Sequence, residues 1–280
     1  MTLRLNRLKT PFPNLFFVYL TRYNGGVKYK VTIAYDGTDF HGWQKQEPPN
    51  EEPLRTVQGE LEKAALDVAR AQVMTLGASR TDAGVHAKGQ VAVISTTRDI
   101  EPERMLFALN SRLPDDIKVT TVELAPFSFD PIDGCKSKGY RYQFYHGCRD
   151  PRNKPLFDRR MHAIVMPNLN TKAMMEAAPH FVGEHDFVGF TKMNHGRAST
   201  VRSIDACYVS ILSEHRIAID IAGKGFLWNM IRIIAGTLVD VGLKRTAPND
   251  IPEIIQSGDR TRAGKTMPPE GLCLEWIKYD

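Results

Sequence analysis

The amino-acid sequence predicts an α+β fold made of two similar halves, each an antiparallel sheet covered by helices on one side. Three observations predict it. Segments in which apolar and polar residues alternate with the period of a strand follow one another in pairs, with helical patterns interposed. Neither half shows the strict strand–helix–strand alternation that is typical of a parallel sheet. The second half repeats the order of elements found in the first, as an ancient duplication would.

The first half begins with a strand over residues 29–35, which ends at the turn formed by Asp36 and Gly37. Thr56 is suited to cap the first helix, because its hydroxyl can accept a hydrogen bond from a backbone N–H group. Pro102 is suited to the first turn of a second helix, where its missing N–H costs nothing. Further strands are predicted over residues 73–76, 90–95 and 117–124.

The second half follows the same order. Its strands are predicted over residues 140–145, 204–212, 217–221 and 272–277, and its helices over residues 171–181 and 228–243. We therefore expect three segments: a basic extension at 1–28 outside the fold, an N-terminal half at 29–127 and a C-terminal half at 128–280.

Composition excludes several classes of protein. Of the 280 residues, 42% are hydrophobic and 25% are charged, which excludes disordered and fibrous chains. The apolar run at residues 15–20 is far too short to cross a bilayer, so no membrane partner is expected. The four cysteines occur singly, without a Cys-x-x-Cys pair. This pattern argues against a zinc knuckle and against a disulfide framework, and it favours a reducing, cytoplasmic location.

The net charge of +5 does not by itself indicate a nucleic-acid partner. Residues 1–30 carry six basic side chains and no acidic one, so the rest of the chain holds 31 basic against 32 acidic residues, a net charge of −1. The basic segment at 1–28 is compatible with an organellar targeting sequence or an RNA-contacting arm. We favour a variable extension, or a start codon that has been placed too far upstream, because the serine enrichment of a transit peptide is missing.

The densest group of reactive side chains lies in a loop between two predicted strands, at residues 77–87. Arg80, Asp82 and His86 stand there among small residues that allow a ligand to approach the backbone. Three interpretations remain open from spacing alone: a ligand site, a tight turn in which Asp82 caps backbone N–H groups, and a metal site shared by Asp82 and His86. The metal site ranks lowest, because no third ligand follows at a recognisable spacing.

This loop resembles a motif of a known family. Residues 80–86 read Arg-Thr-Asp-Ala-Gly-Val-His, which is similar to the signature of the bacterial tRNA pseudouridine synthases of the TruA family. Residues 35–46 resemble the family's first segment, 56–62 its first helix, and 138–142 (Lys-Gly-Tyr-Arg-Tyr) its second motif. Further similar segments follow in family order at 183–187, 226–236 and 269–272.

The resemblance implies isomerisation of uridine to pseudouridine in the anticodon arm of tRNA, at positions 38–40, by a homodimer that needs no cofactor and no metal. It places the catalytic nucleophile on Asp82, the base-flipping arginine on Arg80, the substrate-stacking tyrosine on Tyr140 and the arginine that pairs with the carboxylate on Arg232. It also implies a pseudouridine synthase-like fold with the catalytic cleft between the two halves.

These residue types suit that reaction. A carboxylate can form and then release a covalent bond, and it needs a buried cation to stay ionised in a dry pocket. An arginine can fill the space left by a flipped base, and an aromatic face can hold that base. Arg232 lies in an apolar run, where a charge demands a partner. By contrast, Trp43, His41 and Asp36 are expected to shape the rim and the core.

Two departures from the family pattern bear on the geometry of the loop and on RNA binding, respectively. Ser79 stands where the family usually has glycine, and residues 129–132 read Phe-Asp-Pro-Ile where the family generally has a basic RNA contact. We expect basic residues nearby to compensate, in a phosphate-binding cluster of Lys136, Lys138, Arg141 and Arg149. Two other functions remain as alternatives: a non-catalytic RNA-binding or tRNA-folding protein on the same scaffold, and a metal-dependent hydrolase.

Overall fold

The computed structural model describes residues 26–49, 52–192 and 198–279. Within these ranges the chain forms five α-helices and ten strands that join in a single sheet. The strands are β1 (Val27–Tyr35), β2 (Val73–Gly77), β3 (His86–Thr96), β4 (Ile117–Leu124), β5 (Ser137–His146), β6 (Ala163–Val165), β7 (Gly183–Asp186), β8 (Val201–Ser213), β9 (Arg216–Gly223) and β10 (Leu272–Lys278). The helices are α1 (Val57–Ala69), α2 (Pro102–Asn110), α3 (Thr171–Ala177), α4 (Met230–Gly242) and α5 (Ile251–Ser257).

The strand order is β4-β1-β3-β10-β5-β9-β8-β7, with β2 also paired to β3 and β6 also paired to β5. All these pairs are antiparallel except β3 with β10 and β5 with β6. Side chains alternate across the sheet as the strand period requires. In β1, for example, Tyr29, Val31 and Ile33 are fully buried in the core, while Lys30 and Thr32 between them are half-buried. The predicted α+β class is confirmed.

Strand β10 lies between β3 and β5 and thereby positions the site. Leu274 pairs in parallel with Ala87 of β3 and antiparallel with Tyr140 of β5. The end of the 77–87 loop and the strand that carries Tyr140 are therefore held one strand apart, although they are more than fifty residues apart in the chain. The halves are two parts of one continuous sheet.

Most predicted elements are present, with some corrected bounds. Thr56 caps α1, its hydroxyl accepting a hydrogen bond from the Gly59 N–H at 3.3 Å. The helix predicted over residues 171–181 stops being α-helical at Ala177 and continues as a 3₁₀ turn, because Pro179 cannot donate the next helical hydrogen bond. The helix predicted from residue 228 starts only at Met230.

Other elements were not predicted, namely β6, β7 and α5. The first two are too short for the alternation of a strand to be recognised, and the sequence of β7 is largely polar. The boundary of the N-terminal extension is also wrong by two residues, since Val27 and Lys28 belong to β1. Lys28 donates hydrogen bonds to the carbonyls of Phe127 and Phe129. The rest of the extension, residues 1–25, lies outside the described residues.

In the described part of the chain no helix is both long and apolar enough to cross a membrane. All four cysteines are buried free thiols.

Candidate active site

The segment that follows β1 is hydrogen-bonded to the loop between β2 and β3. The N–H of Trp43 donates to the carbonyl of Thr81 at 3.1 Å, and the N–H of Gly84 donates to the carbonyl of Phe40 at 3.3 Å. Gly84 has a φ of +78°, a left-handed conformation that glycine adopts without strain. Trp43 is 1% exposed, so the expectation that it belongs to the core is confirmed.

A buried glutamine on β3, Gln90, is hydrogen-bonded to the same loop. Gln90 on β3 accepts a hydrogen bond from the Ser79 N–H at 3.3 Å and donates one to the Ser79 carbonyl at 2.6 Å. It also donates to the hydroxyl of Tyr35, which is hydrogen-bonded at 2.8 Å to the hydroxyl of Thr81. Thr81, directly before Asp82, is therefore hydrogen-bonded to the core through both its backbone carbonyl and its hydroxyl. Sequence analysis missed Gln90, which lies in an apolar strand and is fully buried.

Asp82 and Arg232 lie in contact, although they are 150 residues apart in the sequence. The guanidinium Nη1 of Arg232 donates to Oδ2 of Asp82 at 3.3 Å. The same Nη1 donates to the side-chain carbonyl of Asn229 at 2.9 Å, and Nε donates to the backbone carbonyl of Met267 at 2.7 Å. These contacts fix the plane of the guanidinium group. Asp82 thus faces an arginine rather than capping its own turn.

The pKa of Asp82 is raised above its ordinary value. Burial is the largest cause, because it disfavours the charged carboxylate, and the charge of Arg232 and hydrogen bonds from Arg232 and Trp228 oppose it. Arg232 limits the rise in pKa but does not reverse it.

Tyr140 lies under the loop, on the face of β5 that points into the core. Its side chain is 7% exposed, its hydroxyl is hydrogen-bonded to the Ser79 hydroxyl at 2.8 Å, and its ring meets that of Phe226 edge to face. Burial, with the nearby charge of Asp82 as a smaller cause, raises the pKa of Tyr140 to about 12. The structure places Tyr140 close to Asp82, but not among the residues that line the open cavity.

That cavity has a volume of about 420 Å³ and contains both Asp82 and Arg232. The aromatic side chain in its lining is Trp228, which is 46% exposed. His41, predicted to shape the rim, also lines the cavity. Arg80 is exposed on the loop, outside the lining. Sequence analysis missed Trp228, because it falls within an apolar run that predicts a helix.

His86 contacts the first segment instead of sharing a site with Asp82. Its Nδ1 accepts a hydrogen bond from the Gly37 N–H at 3.0 Å and lies 3.2 Å from a carboxylate oxygen of Asp36. Across residues 26–49, 52–192 and 198–279, no three His, Cys, Asp or Glu side chains are grouped so that they could hold a metal ion. The arrangement of these side chains gives the metal-site interpretation no support.

Two of the four members of the expected phosphate-binding cluster have partners within the protein. Lys138 is buried and donates to the carbonyl of Ala78 at 2.8 Å, so it supports the loop. Arg141 forms a two-pronged ion pair with Asp220, the residue opposite it on β9. Lys136 and Arg149 are exposed, as expected.

The departure at residues 129–132 has a local structural role. The carboxylate of Asp130 accepts hydrogen bonds from the backbone N–H groups of Ile132 and Asp133, at 2.7 and 2.9 Å. The ring of Phe129 packs against that of Tyr279. This acidic residue therefore stabilises a turn before β5.

A second cavity, of about 370 Å³, lies at the other end of β5. Tyr145, Asp158 and His215 line it, and none of the predicted site residues does. The cavity with the Asp82–Arg232 pair is therefore the candidate active site.

Comparison with known proteins identifies the family of the chain. The sequence profile of a family described as tRNA pseudouridine synthase matches residues 31–131 and 177–280. A tRNA pseudouridine synthase A from Ruminiclostridium cellulolyticum is 42% identical over 252 residues, which cover 90% of this chain and 99% of the relative. Proteins of the same name from Caldicellulosiruptor bescii and Pelobacter propionicus are 40% and 42% identical, over 89% of this chain and 98% of each relative. The chain belongs to the tRNA pseudouridine synthase family, a family of isomerases.

Proposed function

We propose that this protein isomerises uridine to pseudouridine in the anticodon arm of tRNA, at positions 38–40, with Asp82 as the nucleophile. The observation that carries the proposal is the Asp82–Arg232 pair, 3.3 Å apart at an open cavity where residues from both halves meet. Family membership supports the reaction, and the name shared by the relatives supports the choice of RNA.

The reaction is balanced without a cofactor. The N1–C1′ glycosidic bond breaks and a C5–C1′ bond forms, while C5 loses a proton and N1 gains one. Asp82 forms a covalent bond to the substrate and is released when the rotated base rejoins the sugar. The reaction therefore consumes no reductant, oxidant or group donor.

Each of the other site residues has a separate task. Arg232 aims the carboxylate and opposes the effect of burial on its pKa. Tyr140 is almost buried and does not line the cavity, so its stacking on the flipped base, which the family resemblance implies, requires the base to enter beyond Asp82. Arg80, exposed two residues before Asp82, enters the RNA stem and occupies the space that the flipped base leaves.

We also propose where the active site lies, the oligomeric state and the cellular location. The active site lies between an N-terminal half, from β1 to residue 127, which supplies Asp82, and a C-terminal half at 128–280, which supplies Tyr140 and Arg232. The enzyme acts as a homodimer, as the family resemblance implies. It works in the cytoplasm, and its four buried free thiols suit a reducing compartment.

The test is to incubate the purified full chain with unmodified tRNA transcripts, with and without a chelator, and to map pseudouridine by position. We expect pseudouridine in the anticodon arm at positions 38–40. RNA binding without conversion would instead favour the non-catalytic RNA-binding or tRNA-folding protein. Cleavage that the chelator abolishes would favour a metal-dependent hydrolase.

A further inference from the structure

Trp228 is an exposed aromatic side chain at the candidate active site. Its side chain is 46% exposed and lines the cavity that holds Asp82. Asn229, the next residue, has a φ of 63°, so the backbone turns before α4 begins and Trp228 stays out of the helix. The hydroxyl of Thr191 donates to the Trp228 carbonyl at 3.1 Å, which holds the backbone in place. Packing in the core does not account for a ring in this position.

A lysine lies against this ring. The ammonium group of Lys192 is 4.4 Å from the centroid of the Trp228 ring. A cation–π contact at an exposed site is worth about 0.5–1 kcal/mol, whereas stacking of a nucleic-acid base on an aromatic side chain is worth about 1–3 kcal/mol. A base can therefore displace the lysine from the ring, and the displaced ammonium group can bind a phosphate.

We propose that Trp228 and Lys192 form a binding subsite for an unpaired nucleotide of the RNA strand that flanks the target uridine. The base stacks on the indole ring, and Lys192 contacts the phosphate of the same nucleotide. This inference rests on the proposed function, because it takes the cavity at Asp82 as the place where the target base is held. It adds a substrate contact outside the group of Asp82, Arg80, Tyr140 and Arg232.

The first experiment separates stacking from a purely electrostatic role of Trp228 next to Asp82. Trp228→Phe keeps an aromatic face but loses the indole N–H, and Trp228→Leu loses both. We expect KM for tRNA to rise by about 5- to 150-fold in Trp228→Leu, and much less in Trp228→Phe. If both variants instead lose kcat equally, with an upward move of the acid limb of the pH–rate profile and no change in KM, the subsite does not exist.

The second experiment tests the lysine with a matched control. Lys278 makes a similar contact, 4.6 Å from the ring centroid of Trp276 on β10, and neither residue lines the cavity. Lys192→Met should lower the slope of log KM against log salt by about 0.7–1, as expected for the loss of one phosphate contact, whereas Lys278→Met should leave it unchanged. Equal slopes in both variants and in the wild type would overturn the role of Lys192.

A substrate carrying an abasic nucleotide directly 5′ or 3′ of the target uridine completes the test. One of these two tRNAs should bind more weakly to the wild type, and the same tRNA should show no further loss with Trp228→Leu, because the two partners of one contact have then both been removed. Additive losses for both substrates would contradict the proposal.

These experiments also distinguish a failure of the proposed subsite from a failure of the proposed function. If the wild type makes pseudouridine and Trp228→Leu behaves like it, the subsite is wrong and the proposed function stands. If the wild type makes none, the proposed function fails, and the subsite is then tested by binding alone. Trp228 fluorescence should be quenched by tRNA in Asp82→Asn, and this quenching should be lost in Asp82→Asn with Trp228→Phe. No difference between these two proteins would overturn the subsite.

Discussion

Replacing Arg232 by Met should move the acid limb of the pH–rate profile upward. Nη1 of Arg232 and Oδ2 of Asp82 are 3.3 Å apart, and the two side chains are 15% and 29% exposed. At this distance the attraction between unit charges is about 5 kcal/mol for an effective dielectric constant of 20 and about 1.3 kcal/mol in bulk water. Because the pair is partly exposed, the loss of stabilisation of the ionised carboxylate lies between these two limits.

The direction of this shift follows from the opposing effects of burial and of Arg232 on the pKa of Asp82. Burial raises the pKa of Asp82 and Arg232 lowers it, so removing the arginine raises this pKa further. Attack requires the carboxylate, and activity is therefore lost from the acidic side. Even the lower limit corresponds to an upward move of the acid limb by about 0.9 pH unit.

The assay is single-turnover formation of pseudouridine between pH 5.5 and pH 9.5, with thermal melting to verify folding. Arg232→Lys keeps the charge but cannot hold Asp82, Asn229 and Met267 in one plane, so its activity should fall at every pH with a smaller move of the limb. Arg262→Met, which removes an ion pair with Glu253 away from the cavity, should behave as the wild type. An unmoved acid limb in folded Arg232→Met would refute the reasoning.

Two further predictions concern stability. Burial lowers the pKa of His86, His146 and His162, so the native state resists their protonation; the free energy of unfolding in urea should fall as pH drops below about 6.5, by up to about 1.4 kcal/mol per pH unit for each histidine. A stability that is constant from pH 7.5 to 5.5 would contradict this. Gly236→Ala should cost about 1–3 kcal/mol in the same assay, because a Cβ there would lie 1.9 Å from the carbonyl oxygen of Lys265, whereas Gly225→Ala, with no atom within 4 Å, should cost far less. Equal losses in the two variants would show that this close contact does not matter.

Much of the fold was predictable because regular periodicity marks the long elements. β1 and β4 are strongly patterned, and their predicted bounds are close to those observed; α1 and α2 begin where Thr56 and Pro102 predict. β6 was not predictable, because a strand of three residues is too short to show a pattern. Its existence depends on pairing with β5, a contact between distant parts of the chain.

The burial of Lys138 was predictable from the sequence. Residues 138, 140, 142 and 144 of one strand share a face, and Tyr140, Tyr142 and Phe144 are buried there. The same periodicity places Lys138 on the inner face, where its ammonium group supports the loop instead of meeting RNA. Arg141, on the outer face, is paired across the sheet with Asp220.

The candidate site was predictable only in part. An arginine in an apolar run indicated a buried partner for Arg232, but the identity of that partner came from the family resemblance. The exposure of Trp228 was not predictable, because it depends on the left-handed conformation of Asn229 and on the way α4 packs. The rise in the pKa of Asp82 depends likewise on burial, which the spacing of residues in a loop does not reveal.

The central claim is that Asp82 is the nucleophile, and Asp82→Asn tests it most directly. This variant keeps the shape of the side chain and removes the charge. With saturating tRNA, pseudouridine formation should fall by on the order of 10⁴-fold or more, while the Kd for tRNA stays close to that of the wild type. Asp130→Asn, which alters a turn outside the cavity, should remain active. Pseudouridine formation by Asp82→Asn at a rate near that of the wild type would contradict the account.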